Sequence, residues 1–363
     1  MSDQGFEHFA GTMPVTARQQ FDLAALEAWM TANVDGFVGP LSIEQFKGGQ
    51  SNPTFKLITP AQTYVMRSKP GPAAKLLPSA HAIDREFRVM AALGNTGMRT
   101  GIPVARMYAI CEDESVIGRA FFIMEFVAGR VLWNPALPGV ERSERAAIFD
   151  EMNRVIASLH QVDYVAIGLG DFGKAGNYFE RQIGRWTKQY RASETEKIEA
   201  MDKLIDWLPQ HIPPGEEVSI VHGDYRMDNL IFHPTEPKVL AILDWELSTL
   251  GHPLADFAYH CMAWHVPPSA FRGVAGLDLQ ELGIPDFNSY VAKYCERTGR
   301  AGIENFEYYL AYNLFRMAGI LQGIMKRVVD GTASSEQAVA MGRAARPLAE
   351  LGWRVTEKLI AKS

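Results

Sequence analysis

The chain has 363 residues, of which 47% are hydrophobic and 21% charged, and its formal net charge is -6. This length exceeds the size at which one hydrophobic core usually stops growing, so we expect two domains or lobes. The composition excludes a largely disordered protein. The negative charge argues against nucleic acid as a partner, because no basic field is present to hold it.

The three cysteines, Cys111, Cys261 and Cys295, lie far apart and show no CxxC spacing, which predicts neither a disulfide framework nor a zinc site. The first twenty residues contain no basic segment followed by an apolar one, and no apolar run in the sequence approaches the length of a membrane span. We therefore expect a cytoplasmic protein without membrane insertion. The oligomeric state is not indicated by the sequence.

The predicted elements of the first third of the chain are mostly strands. Residues 1–20 are aperiodic and predict a loosely ordered tail, and "DLAALEAWMTANV" has the apolar spacing of a helix. The segments "LSIEQF", "TFKLIT" and "TYVMR" alternate as strands do, and the loop "KGGQSNP" separates the first two. A helix, "AHAIDREFRVMAAL", and two further strands, "VARMYAICED" and "AFFIMEFV", follow. Together these predict a small antiparallel sheet.

The pattern changes after Val127 to long helical segments such as "NFEYYLAYNLFRMAGILQGIMKRVV". Two β-rich stretches interrupt them, "VSIVHGD" and the hairpin "NLIFHPTEPKVLAILDW". We therefore predict an α+β protein with a tail at residues 1–20, a β-rich N-lobe at 21–127 and a mostly helical C-lobe at 128–363.

The segment "SIVHGDYRMDNLIF", residues 219–232, places carboxylates tightly between two apolar runs. Asn229 leads into the predicted hairpin, and the return strand "VLAIL" ends at Asp244, so the hairpin should place both residues at one end. Amide and carboxylate oxygens suit Mg²⁺, and Asp224 could accept a proton from a hydroxyl, which is the division of roles that phosphoryl transfer requires. The alternative is that Asp224, Asp228 and Asn229 only form turns. The combination with a strand-terminal Asp244 favours the catalytic interpretation.

"VHGDYRMDNLIF" followed by "ILDWELSTLGHPLADFAY" resembles the aminoglycoside phosphotransferase and choline kinase family, and the similarity covers nearly the whole chain after residue 40. A narrower resemblance, carried by "MRSKPGPAAKLLPSAHAIDREFRV" and "FIMEFVAGRVLW", is to the kinase-like domain fused to some acyl-CoA dehydrogenases. The resemblance implies a protein-kinase-like bilobal fold, with a small antiparallel β-rich N-lobe and a larger helical C-lobe. It also implies ATP as co-substrate, Mg²⁺ and a small-molecule hydroxyl acceptor.

By this resemblance, Asp224 is the catalytic base, while Asn229 and Asp244 hold Mg²⁺. His222 would brace the loop, and Asp256 in "LADFAY" would hold the loop through hydrogen bonds. Here "HGD" stands where protein kinases have "HRD", and "DWE" stands where they have "DFG". Both departures are typical of the small-molecule kinases.

The nucleotide side is predicted from the order of strands and helix. Backbone N–H groups of the Gly-rich loop can face phosphates, with Ser51 and Asn52 as contributors. A kinase needs a strand cation that pairs with phosphates and a helix glutamate that holds the cation. Arg67 in "YVMR" fits the first role, with Lys69 as the reserve candidate, and Glu86 in "DREF" fits the second.

The segment "IMEFVAG" would be the hinge, where the family binds adenine through backbone groups, here those of Glu125 and Val127. The family binds its acceptor in the helical lobe, here around residues 178–200 and 260–330. An acidic pocket would favour aminoglycosides or choline, whereas an apolar or basic one would favour acyl chains or CoA phosphates. The narrower resemblance implies a hydroxyacyl-CoA or a related hydroxylated acid. An inactive binding module is the alternative, against which the presence of Asp224, Asn229 and Asp244 argues.

Overall fold

The structure is a computed structural model that describes residues 11–47, 52–71, 82–94, 100–332 and 336–361. Contacts between residues group the chain into two compact units. The first unit combines the described part of Met1–Trp133 with the later segments Asp163–Phe172 and Asp228–Ser248. The second unit consists of Asn134–Val162, Gly173–Met227 and the described part of Thr249–Ser363. The chain therefore passes from the second unit to the first inside the "HGDYRMDN" motif. The predicted lobe boundary at Val127 stays a prediction.

The strands are short. In chain order they are β1 (Thr12–Met13), β2 (Ser42–Phe46), β3 (Thr54–Ile58), β4 (Thr63–Ser68), β5 (Met107–Cys111), β6 (Phe121–Glu125), β7 (Arg130–Val131), β8 (Ser219–Val221), β9 (Leu230–Phe232), β10 (Val239–Ile242) and β11 (Thr249–Gly251).

The helices are longest in the second unit. In chain order they are α1 (Leu23–Asn33), α2 (Ile83–Gly94), α3 (Arg142–His160), α4 (Tyr178–Ser193), α5 (Glu199–Trp207), α6 (Pro253–Cys261), α7 (Leu279–Leu282), α8 (Phe287–Thr298), α9 (Phe306–Val329), α10 (Glu336–Arg343) and α11 (Ala345–Ile360).

The first unit is built on an antiparallel sheet with the order β1-β2-β3-β4-β6-β5. The alternating strands bury Phe55 and Leu57 of β3 in a core that also receives Leu26 and Met30 from α1. Helix α1 begins where the Asp22 carboxylate accepts hydrogen bonds from the first free backbone N–H groups. Helix α2 packs on β5 and β6. The predicted antiparallel sheet and both predicted helices are confirmed.

The remaining strands of the first unit form a small sheet with the order β10-β9-β7. Strands β9 and β10 pair antiparallel as the predicted hairpin.

The second unit packs around α9. This helix is buried on nearly all sides from Phe306 to Gln322, as its apolar sequence predicts. Helices α4, α6, α10 and α11 pack against α9, and α3 packs against α8 and β8. Strands β8 and β11 form a two-stranded antiparallel sheet beside α6. A β-rich unit and a mostly helical unit confirm the predicted α+β class. Within the described ranges, no helix is both long and apolar enough to cross a membrane.

Candidate active site

The β9–β10 hairpin brings Asn229 and Asp244 to the same end. The Leu243 backbone N–H donates a hydrogen bond of 2.8 Å to the Asn229 carbonyl, directly before Asp244 in the chain. Asp244 has a left-handed φ of 64°, a conformation that aspartate and asparagine adopt more readily than most residues. The sequence-based pairing of the hairpin ends is thereby confirmed, while their role toward a metal stays a prediction.

A buried arginine lies at the centre of the first unit's polar cluster. Arg67 Nε is 2.8 Å from Glu86 Oε2, and Arg67 Nη2 is 2.8 Å from Asp244 Oδ1 and 3.7 Å from Glu246 Oε2. Arg67 is 8% exposed and Glu86 is 3% exposed. A glutamate on an amphipathic helix is more often solvated, but α2 turns Glu86 toward the sheet. Three predicted residues therefore meet, together with Glu246, which sequence reasoning missed.

Among the described residues, the carboxylates of Glu86, Asp244 and Glu246 surround the Arg67 guanidinium. Burial, with the repulsion from Asp244 and Glu246, raises the pKa of Glu86 to about 7, although Arg67 acts in the opposite direction. Burial opposes the charge of Arg67, but the three carboxylates together raise the pKa of Arg67 above its ordinary value. Arg67 thus remains a cation.

The reserve candidate Lys69 lies just past the end of β4, where its backbone N–H donates to the Ala120 carbonyl at 3.0 Å. Arg67 is the β4 residue that meets Glu86. Of the Gly-rich loop, Ser51 lies outside the described residues. Asn52 is 1% exposed, and its carbonyl accepts a hydrogen bond of 3.2 Å from Thr54.

The predicted hinge follows β6. Glu125 is the last residue of this strand, and its backbone N–H donates to the Arg106 carbonyl at 2.8 Å. The Glu125 carboxylate in turn accepts the Arg106 N–H at 3.1 Å. Val127 follows two residues later and is half-buried. Adenine binding by these backbone groups stays a prediction.

In the second unit, Asp256 on α6 fixes the backbone of the "HGD" loop. Its carboxylate accepts the N–H groups of His222 and Gly223, each at 2.8 Å. Its Oδ2 also lies 3.2 Å from His160 Nε2. The His222 ring accepts the Asp224 N–H at 3.1 Å. The expected support of the loop by His222 and Asp256 is confirmed.

The Asp256 carboxylate stays ionised despite its burial. Burial alone would raise the pKa of Asp256, but the hydrogen bond and charge interaction with His160 and the donors at His222 outweigh burial and lower it. An ionised carboxylate makes stronger hydrogen bonds to backbone N–H groups than a neutral one. The loop backbone is therefore held firmly where Gly223 takes a φ of 83°.

The Asp224 side chain is 18% exposed, so solutes can reach it. The Tyr259 hydroxyl donates a hydrogen bond to Asp224 Oδ1, and Arg226 Nε lies 3.2 Å from the same oxygen. Arg316 of α9 donates a hydrogen bond of 2.6 Å to the Gly223 carbonyl. Sequence reasoning missed these three residues. Arg226 stands inside the quoted motif and Tyr259 inside "LADFAY", so two of them were within reach.

Asn229 and Asp244 offer the oxygen donors that a hard cation takes. The Asp244 side chain is 35% exposed, so its carboxylate is accessible. Across the part of the chain that the structure describes, no group of three or more His, Cys, Asp and Glu side chains is arranged to hold a metal. Mg²⁺ normally completes its shell with waters and substrate phosphates. The residues therefore fit a Mg²⁺ that arrives with a nucleotide.

A strand cation held by a helix glutamate, followed along the chain by a loop with a catalytic aspartate, is an arrangement that kinases use for phosphoryl transfer. Comparison with known proteins agrees. The chain belongs to the phosphotransferase enzyme family, abbreviated APH, whose sequence profile matches residues 42–287. The predicted family is thereby confirmed.

Two curated relatives are acyl-CoA dehydrogenase family members of the mouse, Mus musculus. Member 10 is 46% identical over 350 residues, which cover 96% of this chain and 32% of the relative. Member 11 is 39% identical over 356 residues, which cover 96% of this chain and 45% of the relative. The chain thus spans less than half the length of these relatives.

Solved structures confirm the predicted fold. A protein from Ralstonia eutropha JMP134, assigned as a candidate aminoglycoside phosphotransferase, is 66% identical with a TM-score of 0.85, over 93% of this chain and 99% of that chain. Aminoglycoside phosphotransferase APH(4)-Ia, in a ternary complex with AMP-PNP and hygromycin B, has a TM-score of 0.59 at 14% identity over 92% and 99% of the two chains. Choline kinase from Cryptosporidium parvum also has a TM-score of 0.59 at 14% identity, over 94% of this chain and 97% of that chain. At such identity these two show the fold alone.

Proposed function

We propose that the protein is a small-molecule kinase that transfers the γ-phosphoryl group of ATP to a substrate hydroxyl. The observation that carries this proposal is the buried Arg67, held by Glu86 on one side and by Asp244 on the other. Phosphoryl transfer depends on fixed charges more than on covalent chemistry of the protein. An arginine that two carboxylates hold in place is such a fixed charge.

On the nucleotide side, the Arg67 guanidinium pairs with the α- and β-phosphates of ATP, to which its planar fork is suited. Glu86 keeps the guanidinium oriented. Ser51 and Asn52 contribute to phosphate binding, and the backbone of Glu125 and Val127 binds adenine. Mg²⁺, held by Asn229 and Asp244 when bound with ATP, would neutralise charge on the transferred group.

On the acceptor side, Asp224 orients the hydroxyl and accepts its proton as the acceptor oxygen forms a bond to the γ-phosphorus. The bond from the γ-phosphorus to the β-phosphate oxygen breaks at the same time, and ADP leaves. Arg226, beside Asp224, adds positive charge where the transferred phosphoryl group carries negative charge.

We further propose that the acceptor is anionic, a hydroxyacyl-CoA or a related hydroxylated acid. Arg226 and Arg316 both lie near Asp224 in the second unit. Helix α4 in the expected acceptor region is also basic, with Arg181, Arg185 and Lys188 against Glu180, while Arg191 is paired with Glu194 and Asp202. Positive charge disfavours choline and polycationic aminoglycosides and favours carboxylates and CoA phosphates. The names of the acyl-CoA dehydrogenase relatives point to the same class.

The test is phosphoryl transfer from γ-labelled Mg·ATP to a medium-chain 4-hydroxyacyl-CoA, with choline and an aminoglycoside in parallel and Asp224→Asn as the blank. We expect the wild-type protein to label the acyl-CoA selectively. Label on choline or the aminoglycoside instead would leave the kinase chemistry standing and refute the acceptor class. Absence of both phosphoryl transfer and Mg²⁺-dependent ATP binding would favour the binding-module alternative.

A further inference from the structure

Helix α6 holds the catalytic loop through two side chains on one face. Asp256 and Tyr259 lie three residues apart, so both point to the same side of the helix. Asp256 binds the loop backbone at His222 and Gly223, whereas the Tyr259 hydroxyl donates to the Asp224 carboxylate itself. The loop backbone and the side chain of the predicted base are thus fixed by the same face of α6.

We propose that Tyr259 is a positioning residue for phosphoryl transfer. Its hydroxyl and Arg226 both engage Oδ1 of Asp224, which orients the carboxylate to accept the proton of the acceptor hydroxyl. This inference rests on the proposed role of Asp224 as the base.

The chemistry of the donor supports this role. Tyr259 is 3% exposed, and burial together with the nearby Asp224 charge raises the pKa of its phenol well above the ordinary value. The phenol therefore keeps its proton throughout the working range and acts as a donor. A hydrogen bond from a neutral donor to a carboxylate stabilises the ionised form and lowers the pKa of the acid.

The Tyr259 ring is itself held in place. The Arg316 guanidinium lies over the Tyr259 ring at 5.1 Å and over the Trp186 ring at 5.4 Å. The same guanidinium donates to the Gly223 carbonyl at 2.6 Å. Arg316 therefore connects both the Tyr259 ring and the loop backbone to α9.

The other charged and titratable groups around Asp224 determine how much Tyr259 contributes. Arg226 of the loop and Arg316 of α9 are cations that interact with the Asp224 carboxylate. His222 accepts the Asp224 N–H, and Asp256 is engaged by the loop backbone. Loss of the Tyr259 hydroxyl should therefore weaken the base without abolishing it.

Tyr259→Phe removes the hydroxyl and keeps the ring. We expect kcat to fall about tenfold and the acid limb of the pH profile to move about one pH unit higher, because the carboxylate has lost a donor. The KM for ATP should change little. Thr356→Val is the matched control, since Thr356 is 0% exposed, lies outside the expected acceptor region, and its hydroxyl donates to the Gly352 carbonyl at 3.1 Å. The control should shift neither kcat nor the acid limb. A lower kcat of Tyr259→Phe with an unmoved acid limb would indicate a structural role and overturn the inference.

A second measurement does not depend on activity. The carboxyl carbons of aspartate are labelled with ¹³C, Asp224→Asn identifies the Asp224 resonance, and its titration is followed in wild type and Tyr259→Phe. We expect a higher midpoint in the variant, and an unchanged midpoint overturns the inference. A shifted midpoint in a protein that phosphorylates none of the acceptors would instead overturn the proposed function, and with it the catalytic consequence drawn for Tyr259.

Discussion

Replacing Arg67 with methionine removes the cation that Glu86, Asp244 and Glu246 share while keeping an unbranched apolar side chain in β4. Removing one partner of a buried ion pair costs about 3–5 kcal/mol when the other charge stays buried. Glu86 can instead bind a proton and become neutral, because burial has already raised its pKa to about 7. The loss of stability should therefore depend on pH.

The direction of this pH dependence follows from the pKa of Glu86 in the folded and unfolded protein. Its pKa in the folded protein, about 7, lies above the ordinary value of 4.5. The stability gained from this proton is complete below about pH 4.5 and is lost as the pH rises through the folded pKa. In wild type that loss is nearly complete at pH 7. Without Arg67 the pKa of Glu86 in the folded protein rises further, so the free energy of unfolding continues to fall above pH 7. Between pH 7 and pH 8 the variant should lose about 1 kcal/mol more than wild type does.

The assay is urea unfolding at about pH 6, 7 and 8, with EDTA present so that no divalent cation replaces Arg67. Wild type, Arg67→Met, Glu86→Gln and the double variant form a thermodynamic cycle. We expect the additional loss between pH 7 and 8 in Arg67→Met and its absence in the double variant. The assignment of the buried charge to Arg67 and Glu86 would be refuted if Arg67→Met were destabilised relative to wild type by the same amount at pH 7 and pH 8. It would also be refuted if the pH dependence persisted in the double variant, which lacks Glu86.

Other substitutions separate the roles of the remaining residues. Asp224→Asn should lower transfer at least about 100-fold while leaving the calorimetric affinity for Mg·ATP largely intact, because the base does not hold the metal; near wild-type turnover would mean that another group is the base. Asp244→Asn tolerates the left-handed φ of 64°, so a loss of Mg²⁺-dependent ATP binding would report the metal site rather than the backbone. Binding that matches wild type with and without Mg²⁺ would contradict the metal assignment. Asp256→Ala leaves two backbone N–H groups without their acceptor and should cost about 2–4 kcal/mol in urea unfolding at neutral pH. Because the pKa of Asp256 is lowered, this stabilisation is lost as the pH falls, and the difference from wild type should shrink toward about pH 3.

The sequence predicts the sheet and the β9–β10 hairpin because alternation and turn residues are local signals. The pairing of Arg67 with Glu86 was predicted from the order of strand, loop and helix. Glu246, the third carboxylate at Arg67, was missed because its position in the turn after Asp244 does not indicate where its side chain points.

The surroundings of Asp224 depend on contacts between distant parts of the chain. Tyr259 stands one helical turn after Asp256, so the spacing could have placed it on the loop side of α6. Arg316 stands in the middle of the long apolar helix α9, where nothing local marks it. The same limit applies to the two units, since the grouping of Asp228–Ser248 with the first unit follows from packing rather than from sequence order.

The central claim is transfer of the ATP γ-phosphoryl group to a hydroxyl oxygen, and its most direct test uses ATP labelled with ¹⁸O in the γ-phosphate. Wild type and Asp224→Asn are incubated with Mg·ATP and a medium-chain 4-hydroxyacyl-CoA, and the acceptor is analysed by mass spectrometry. We predict that wild type forms a phosphate ester whose bridging oxygen is the unlabelled oxygen of the acceptor, and that the variant forms almost none. Equal ester formation by the two proteins, or labelled phosphate released to water without any ester, would contradict the account.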